Sequence, residues 1–285
     1  MPTTKVQIQY VVIPHPDDEF GAWSLIEGAT NNYPVFVLLT HGEATVMGTG
    51  TGLQADLGER PPQPQPFHGK GSLFLHAQRL DSWHTFLNRM ADLDATLDVP
   101  GFRGHQTAAT TPPSARSPEF DLFIGDKTAR VVFDLGDGHL DADVVSWAVR
   151  TVRSEVRPQL PLQQEYGIIG AAYYNASYPG PSYTHPDHHA VHLALWNTDF
   201  GLPGPQWGRT PHTDPDAASP HGRTDIVSPT TYEAVMAVGD NGQRLGALQQ
   251  VYGWLAFEPD GYFHPGPAVT DDGAFARYQS FWQRF

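Results

Sequence analysis

Two short stretches concentrate the side chains that can do chemistry. The first is Pro14-His15-Pro16-Asp17-Asp18-Glu19, where an imidazole and adjacent carboxylates directly follow an apolar run. Neutral imidazole nitrogen and anionic oxygen at short range are what a divalent metal site needs. The flanking prolines restrict the backbone around His15 and so preorganise its ring. Asp17 and Asp18 are neighbours and point in different directions, so one can ligate while the other faces a water. Either acid could instead cap a following helix. Capping explains one acid, but not the His and the second acid at the same point. The second stretch is Tyr183-Thr184-His185-Pro186-Asp187-His188-His189, with His192 one turn further on. With a helix starting near Pro186, His185 and His188 stand at i, i+3, and His188 and His192 at i, i+4. An isolated His is ordinarily a satisfied surface or core residue, a reading kept for His189 and His192. Four His within residues 185–192 are too dense for chance clustering.

The elements that must position these motifs are legible from periodicity. Residues 7–13 (QIQYVVI) read as a buried strand, 19–29 as a helix and 33–43 as a strand apolar enough to be buried on both faces. Strand, helix and strand in that order make a βαβ unit, hence parallel pairing. Further on, 73–90 reads as a helix, 129–135 as a strand, 141–156 as a helix with an acidic start and an Arg-rich end, 166–174 as a strand and 185–197 as a helix. One more helix is expected within 231–257. The Pro/Gly-rich stretches at about 44–72, 98–120 and 200–230 read as loop insertions between core elements at about 5–43, 73–90 and 129–197. The expectation is a single α/β domain over 1–285, with a Rossmann-like, mostly parallel sheet flanked by helices. In such sheets chemistry sits at the carboxyl ends of the strands.

Composition narrows the function classes. The 285 residues include no Cys, which excludes a disulfide scaffold, a thiolate nucleophile and Cys-ligated zinc or iron–sulfur sites. A net charge of −14 repels polyanions, so nucleic acid and acidic membrane surfaces are poor partners. No apolar run is long enough for a membrane span and no secretory h-region is visible, so a soluble cytoplasmic protein is expected. No G-x-S-x-G, strand-following G-x-G-x-x-G or phosphate loop is present.

Together the two motifs resemble the LmbE-like, or PIG-L, family of metal-dependent N-acetylglucosamine deacetylases. That family's signature is a strand-terminal P/A-H-P-D-D-E and a later H-P-D-H, and both stand intact here at 14–19 and 185–188. Thr40-His41-Gly42-Glu43 is similar to its T-x-G-E turn. The helix carrying Arg79 resembles its R-x-x-E helix, with Ser82 where Glu is usual. The resemblance implies that His15, Asp18 and His188 hold zinc, with iron(II) as the other metal to consider. It makes Asp17 the general base, and His185 a stabiliser of the oxyanion or helper of the leaving amine, oriented by Asp187. Tyr183 resembles a mobile active-site tyrosine of the mycothiol-pathway members. The reaction implied is amide hydrolysis of an N-acetylated sugar glycoside, releasing acetate and an amine.

Aromatic residues in and near the insertions, among them Phe67, Trp83, Tyr173, Tyr174, Tyr178, Trp207, Tyr252, Trp254 and Phe263, suit a wide, pre-shaped mouth once half or more are assigned to the core. That favours an antibiotic-tailoring substrate such as a glycopeptide pseudoaglycone over a small thiol-precursor glycoside of the mycothiol or bacillithiol type. Two other readings use the same letters. His15-x-Asp17 plus a distant His also spells the facial triad of non-haem iron(II) oxygenases. A non-catalytic sugar- or metal-binding protein on the same scaffold is the other.

Overall fold

Gln7–Ile13 (β1) and Asn32–Leu38 (β2) are apolar at nearly every position because both their faces are covered. Ile8, Tyr10 and Val12 join one core with Val35, Val37, Val131 and Phe133. On the opposite face Trp23 stacks on Phe36 at 6.3 Å and meets Phe86 edge-on at 5.4 Å. The computed structural model describes residues 5–44, 73–172, 185–210, 224–227 and 279–284.

The remaining strands are Gly101–Thr107 (β3), Glu119–Ile124 (β4), Ala129–Phe133 (β5), Glu165–Gly170 (β6), Gln206–Thr210 (β7), Thr224–Val227 (β8) and Gln279–Arg284 (β9). They form one sheet in the order β3-β4-β5-β2-β1-β6-β7-β9-β8. The five central strands, β5 to β7 in that order, are parallel. Antiparallel pairs extend the sheet at each edge. The helices are Leu73–Leu93 (α1), Ala142–Thr151 (α2) and Pro186–Asn197 (α3). This is the expected Rossmann-like α/β architecture. β1 pairs with β2 on one side and β6 on the other, so the strand order reverses beside it, the point where such sheets open a ligand crevice. Among the described residues, no helix is long and apolar enough to cross a membrane.

Several local expectations are corrected. The stretch 98–120 holds β3 and the start of β4, an antiparallel pair at the sheet edge. β3 exposes most of its residues, so the ladder of backbone bonds and not apolar alternation holds it. The stretch 200–230 likewise contains β7 and β8. The helix expected over 19–29 is a 3₁₀ segment, Asp18–Leu25. The amphipathic stretch 141–156 starts as foreseen, with Asp141 capping Val144 N at 2.8 Å, but its last turn widens into a π-helix at Val152–Val156. The helix expected within 231–257 lies outside the described residues.

Candidate metal centre

β1 delivers His15, and the first turn of α3 delivers His185, Asp187 and His188, to the same end of the sheet. Pro186 opens α3 and its N-cap is His185, whose Nδ1 accepts from Asp187 N at 3.3 Å. His188, one turn in, faces β1. The carboxylate oxygen Asp18 Oδ2 lies 3.1 Å from His15 Nδ1 and 3.2 Å from His188 Nε2. The ligand atoms of these three residues lie within 4.8 Å of one another. Bonds of about 2.0–2.1 Å in a tetrahedron place neighbouring ligands about 3.3 Å apart, which the two contacts of Asp18 match. Two imidazoles and one carboxylate also match the donor set of an open catalytic site. The residues expected to converge do so.

A second group shares His15: Asp137, His185 and Asp187 also lie within ligand reach of it. Here His15 uses its other nitrogen. Its Nε2 lies 3.0 Å from Asp187 Oδ2 and 3.1 Å from Asp137 Oδ1. Asp187 is already engaged, accepting from Gly138 N at 2.7 Å through Oδ2 and from Leu140 N at 2.9 Å through Oδ1. A carboxylate so engaged is suited to receive the Nε2 proton of His15 and leave Nδ1 to face Asp18 and His188. The orienting role expected of Asp187 is therefore exerted on His15. Its link to His185 runs through its backbone N–H.

Asp17 sits directly beside this centre. It occupies the N-cap position of the 3₁₀ segment without a side-chain capping bond, so the capping explanation fails for it. Its φ of 104° is left-handed, a conformation a non-glycine residue holds at a cost of about 1–3 kcal/mol. Two contacts hold it there: its N–H donates to Glu19 Oε2 at 3.0 Å, and Arg79 Nη2 donates to its Oδ2 at 3.2 Å and to Pro16 O at 2.8 Å. Arg79 thus has a buried acid for a partner although Ser82 replaces the usual Glu. Gly42 makes room for it: a Cβ there would lie 2.3 Å from Arg79 Nε. Thr40 fixes this turn by donating to Pro14 O at 2.8 Å and accepting from Gly42 N at 3.2 Å.

Electrostatics separates the two adjacent acids. Burial pushes Asp17 up to about 7, and the negative charge of Asp18 adds to that, against the opposing pull of Arg79. Burial acts on Asp18 too, but His188 and His15 override it and hold that carboxyl well below the usual range. On His15 burial alone would lower the pKa, yet bonds to Asp137, Asp18 and Asp187 raise it well above its ordinary value. His185 is lowered, first by burial and then by His15 and His188.

Asp137 is the residue that motif reading missed. It follows β5, so its place at the carboxyl edge of a parallel strand is the signal that could have found it. Its Oδ2 accepts from Ala44 N at 2.6 Å, and its own N–H donates to Glu43 Oε1 at 2.9 Å. His192 is structural, as expected: its Nε2 bonds Ala172 O at 2.7 Å and its Nδ1 accepts from Trp282 Nε1 at 2.9 Å. Both nitrogens being used, the possible His188–His192 metal face is excluded. Trp83 is buried beneath Arg130 and so cannot line a mouth, while Trp207 is half-buried and packs edge-on to Phe281. Tyr183 and the other seven aromatic residues named above lie outside the described residues. No family model matches the chain, and no curated protein matches it.

Proposed function

We propose that the protein is a metal-dependent amidohydrolase of the LmbE-like type, with zinc held by His15, Asp18 and His188. Its reaction is removal of the N-acetyl group from an N-acetylglucosamine moiety of a glycoside. The observation that carries this reading is the convergence of those three ligands, with Asp18 Oδ2 within 3.2 Å of both imidazoles, beside a second carboxyl that burial pushes up to about 7. When bound, zinc supplies Lewis acidity, bringing the pKa of water toward about 7 and polarising the amide carbonyl. The remaining tasks fall to the chain's own side chains. Asp17 accepts a proton from the attacking water and passes it to the departing amine, so water and amide become acetate and free amine. A base with a pKa near the working pH suits both transfers. His185 accepts at Nδ1 from Asp187 N, which leaves Nε2 as the protonated nitrogen, a donor for the carbonyl oxygen as its negative charge grows. Asp187 holds the ring of His15 by its Nε2. Tyr183, outside the described residues, is proposed as an active-site residue on the resemblance alone.

Among the described residues Asp17 belongs to neither metal group and is bound to Arg79, which weighs against an iron facial triad built on His15-x-Asp17. The substrate proposed is an N-acetylglucosaminyl group on a larger, partly aromatic scaffold, as in glycopeptide antibiotic biosynthesis. A small thiol-precursor glycoside is the competing substrate.

The test is acetate release by zinc-loaded protein from both substrate types, beside an Asp17→Asn variant. Loss of the base should lower turnover by about 10²–10⁴-fold while zinc content stays unchanged. Turnover of the small glycoside alone would reverse the substrate order. Absence of acetate from either, with zinc bound, would sink the deacetylase reading.

A further inference from the structure

The loop 134–140, between β5 and α2, has two faces with different tasks. Its backbone N–H groups point inward: Asp137 N donates to Glu43, and Gly138 N and Leu140 N donate to the two oxygens of Asp187. Asp187 in turn bonds His15, so this row of amides fixes a metal ligand at one remove. Two of the loop's carbonyls, those of Leu135 and His139, are collected by one side chain. Arg116 donates through Nη1 to Leu135 O and through Nη2 to His139 O, spanning the loop from end to end. Gly136, with φ of 84°, takes the left-handed turn that carries the chain from Leu135 to Asp137.

Arg116 itself is anchored from elsewhere. It lies on the connector between β3 and β4, which Ala108 N closes by donating to Pro118 O at 2.9 Å. That connector is docked on α2 and the turn after it, through Trp147 Nε1 donating to Thr110 Oγ1 at 3.0 Å and Ala109 N donating to Glu155 Oε1 at 3.0 Å. The guanidinium fork is thus held from the β3–β4 connector, which packs on α2 beyond the C-terminal end of the loop. A planar fork with fixed donor directions can bind two separated carbonyls at once, which a lysine ammonium on a flexible stem does not reproduce.

We infer that Arg116 is a positioning residue of the metal centre, clamping the loop 134–140 so that its amides hold Asp187, and through it His15, in ligand geometry. The inference rests on the metal-centre reading of the site and not on the deacetylation assigned to it. The test uses the full chain as wild type, Arg116→Lys and Arg116→Ala, the lysine variant keeping charge and stem should the alanine variant fail to fold. Zinc affinity by chelator competition should weaken about tenfold in both variants, the lower end of the effect of removing groups that orient ligands. In the metal-free protein, the Gly138 and Leu140 amides should exchange hydrogen faster, with β1 and β2 unchanged. Added guanidinium ion at low, non-denaturing concentration should recover part of the affinity of Arg116→Ala.

Zinc affinity and loop exchange indistinguishable from wild type would overturn the inference. So would faster exchange throughout the sheet with zinc affinity intact, the signature of a merely stabilising side chain. Zinc bound without acetate release would remove the deacetylase reading and leave the clamp standing. A wild type that binds no zinc would remove the metal centre, and the clamp would fall with it.

Discussion

At the scale of single residues, His15 is where sequence and structure agree most closely and where pH enters. Its ring lies between three carboxylates, which hold its pKa well above the ordinary value despite burial. In the metal-free protein it therefore carries a proton near neutrality, and a cation at Nδ1 must displace that proton. Zinc affinity should rise by about tenfold per pH unit until the raised pKa is passed. Calorimetry in two buffers of different ionisation heat should find about one proton released per zinc bound; none released would mean the ring is neutral beforehand. The same shift has a consequence for stability. With the folded pKa above the unfolded one, the contribution of His15 is complete below about pH 6.5 and is lost as pH rises through the folded value. His15, Asp18 and His188 were legible because each stands in a dense motif with both donor types. Asp137 was not, because nothing in Asp134-Leu135-Gly136-Asp137 distinguishes one acid from the other until the end of β5 is known.

Among elements, the packing around two glycines decides how the site is held. Gly42→Ala would place a Cβ 2.3 Å from Arg79 Nε in a left-handed backbone conformation. It should lower unfolding stability by about 1–3 kcal/mol and loosen Arg79 from Asp17, read by denaturant titration and by the rate of the zinc-loaded variant. β9 is fastened to α3 by a different device. Trp282 donates to His192 and meets Trp196 edge-on at 5.0 Å, and Gly208 on β7 leaves space for the indole, since a Cβ there would fall 2.1 Å from it. Trp282→Phe keeps an aromatic ring but leaves His192 Nδ1 without its buried donor, so about 1–3 kcal/mol of stability should be lost in thermal or urea unfolding. Of the parallel strands, β7 was read as part of a loop. β1, β2, β5, β6 and all three described helices were legible, the strands and helices α1 and α2 from the burial of their faces and α3 from Pro186 at its first turn. The edge strands β3 and β8 were not, since an edge is held by backbone bonds that leave little trace in side-chain type. The π-turn at Val152–Val156 was equally silent: its apolar residues satisfy the helical pattern on either pitch.

For the molecule as a whole, the centre is a junction between two sides of the sheet. The segment after β1 carries two of the three ligands, His15 and Asp18, and α3, reached after β6, carries the third, His188. A cation bound only by the folded form stabilises it by about 2.7 kcal/mol at a hundredfold excess over its dissociation constant. Unfolding of the zinc-loaded protein should therefore move to lower temperature with a chelator, and His188→Ala should erase most of that difference. His15 and Asp187 are 172 positions apart, a separation that also sets an order of events in the cell. At about 5–20 residues per second, a ribosome needs roughly 10–30 s to pass from one to the other. Throughout that interval the nascent chain holds His15, Asp18 and, later, Asp137, but not His188, so the trio of His15, Asp18 and His188 is incomplete. That trio is therefore completed only after β1, β2, β5 and β6 have all been synthesised.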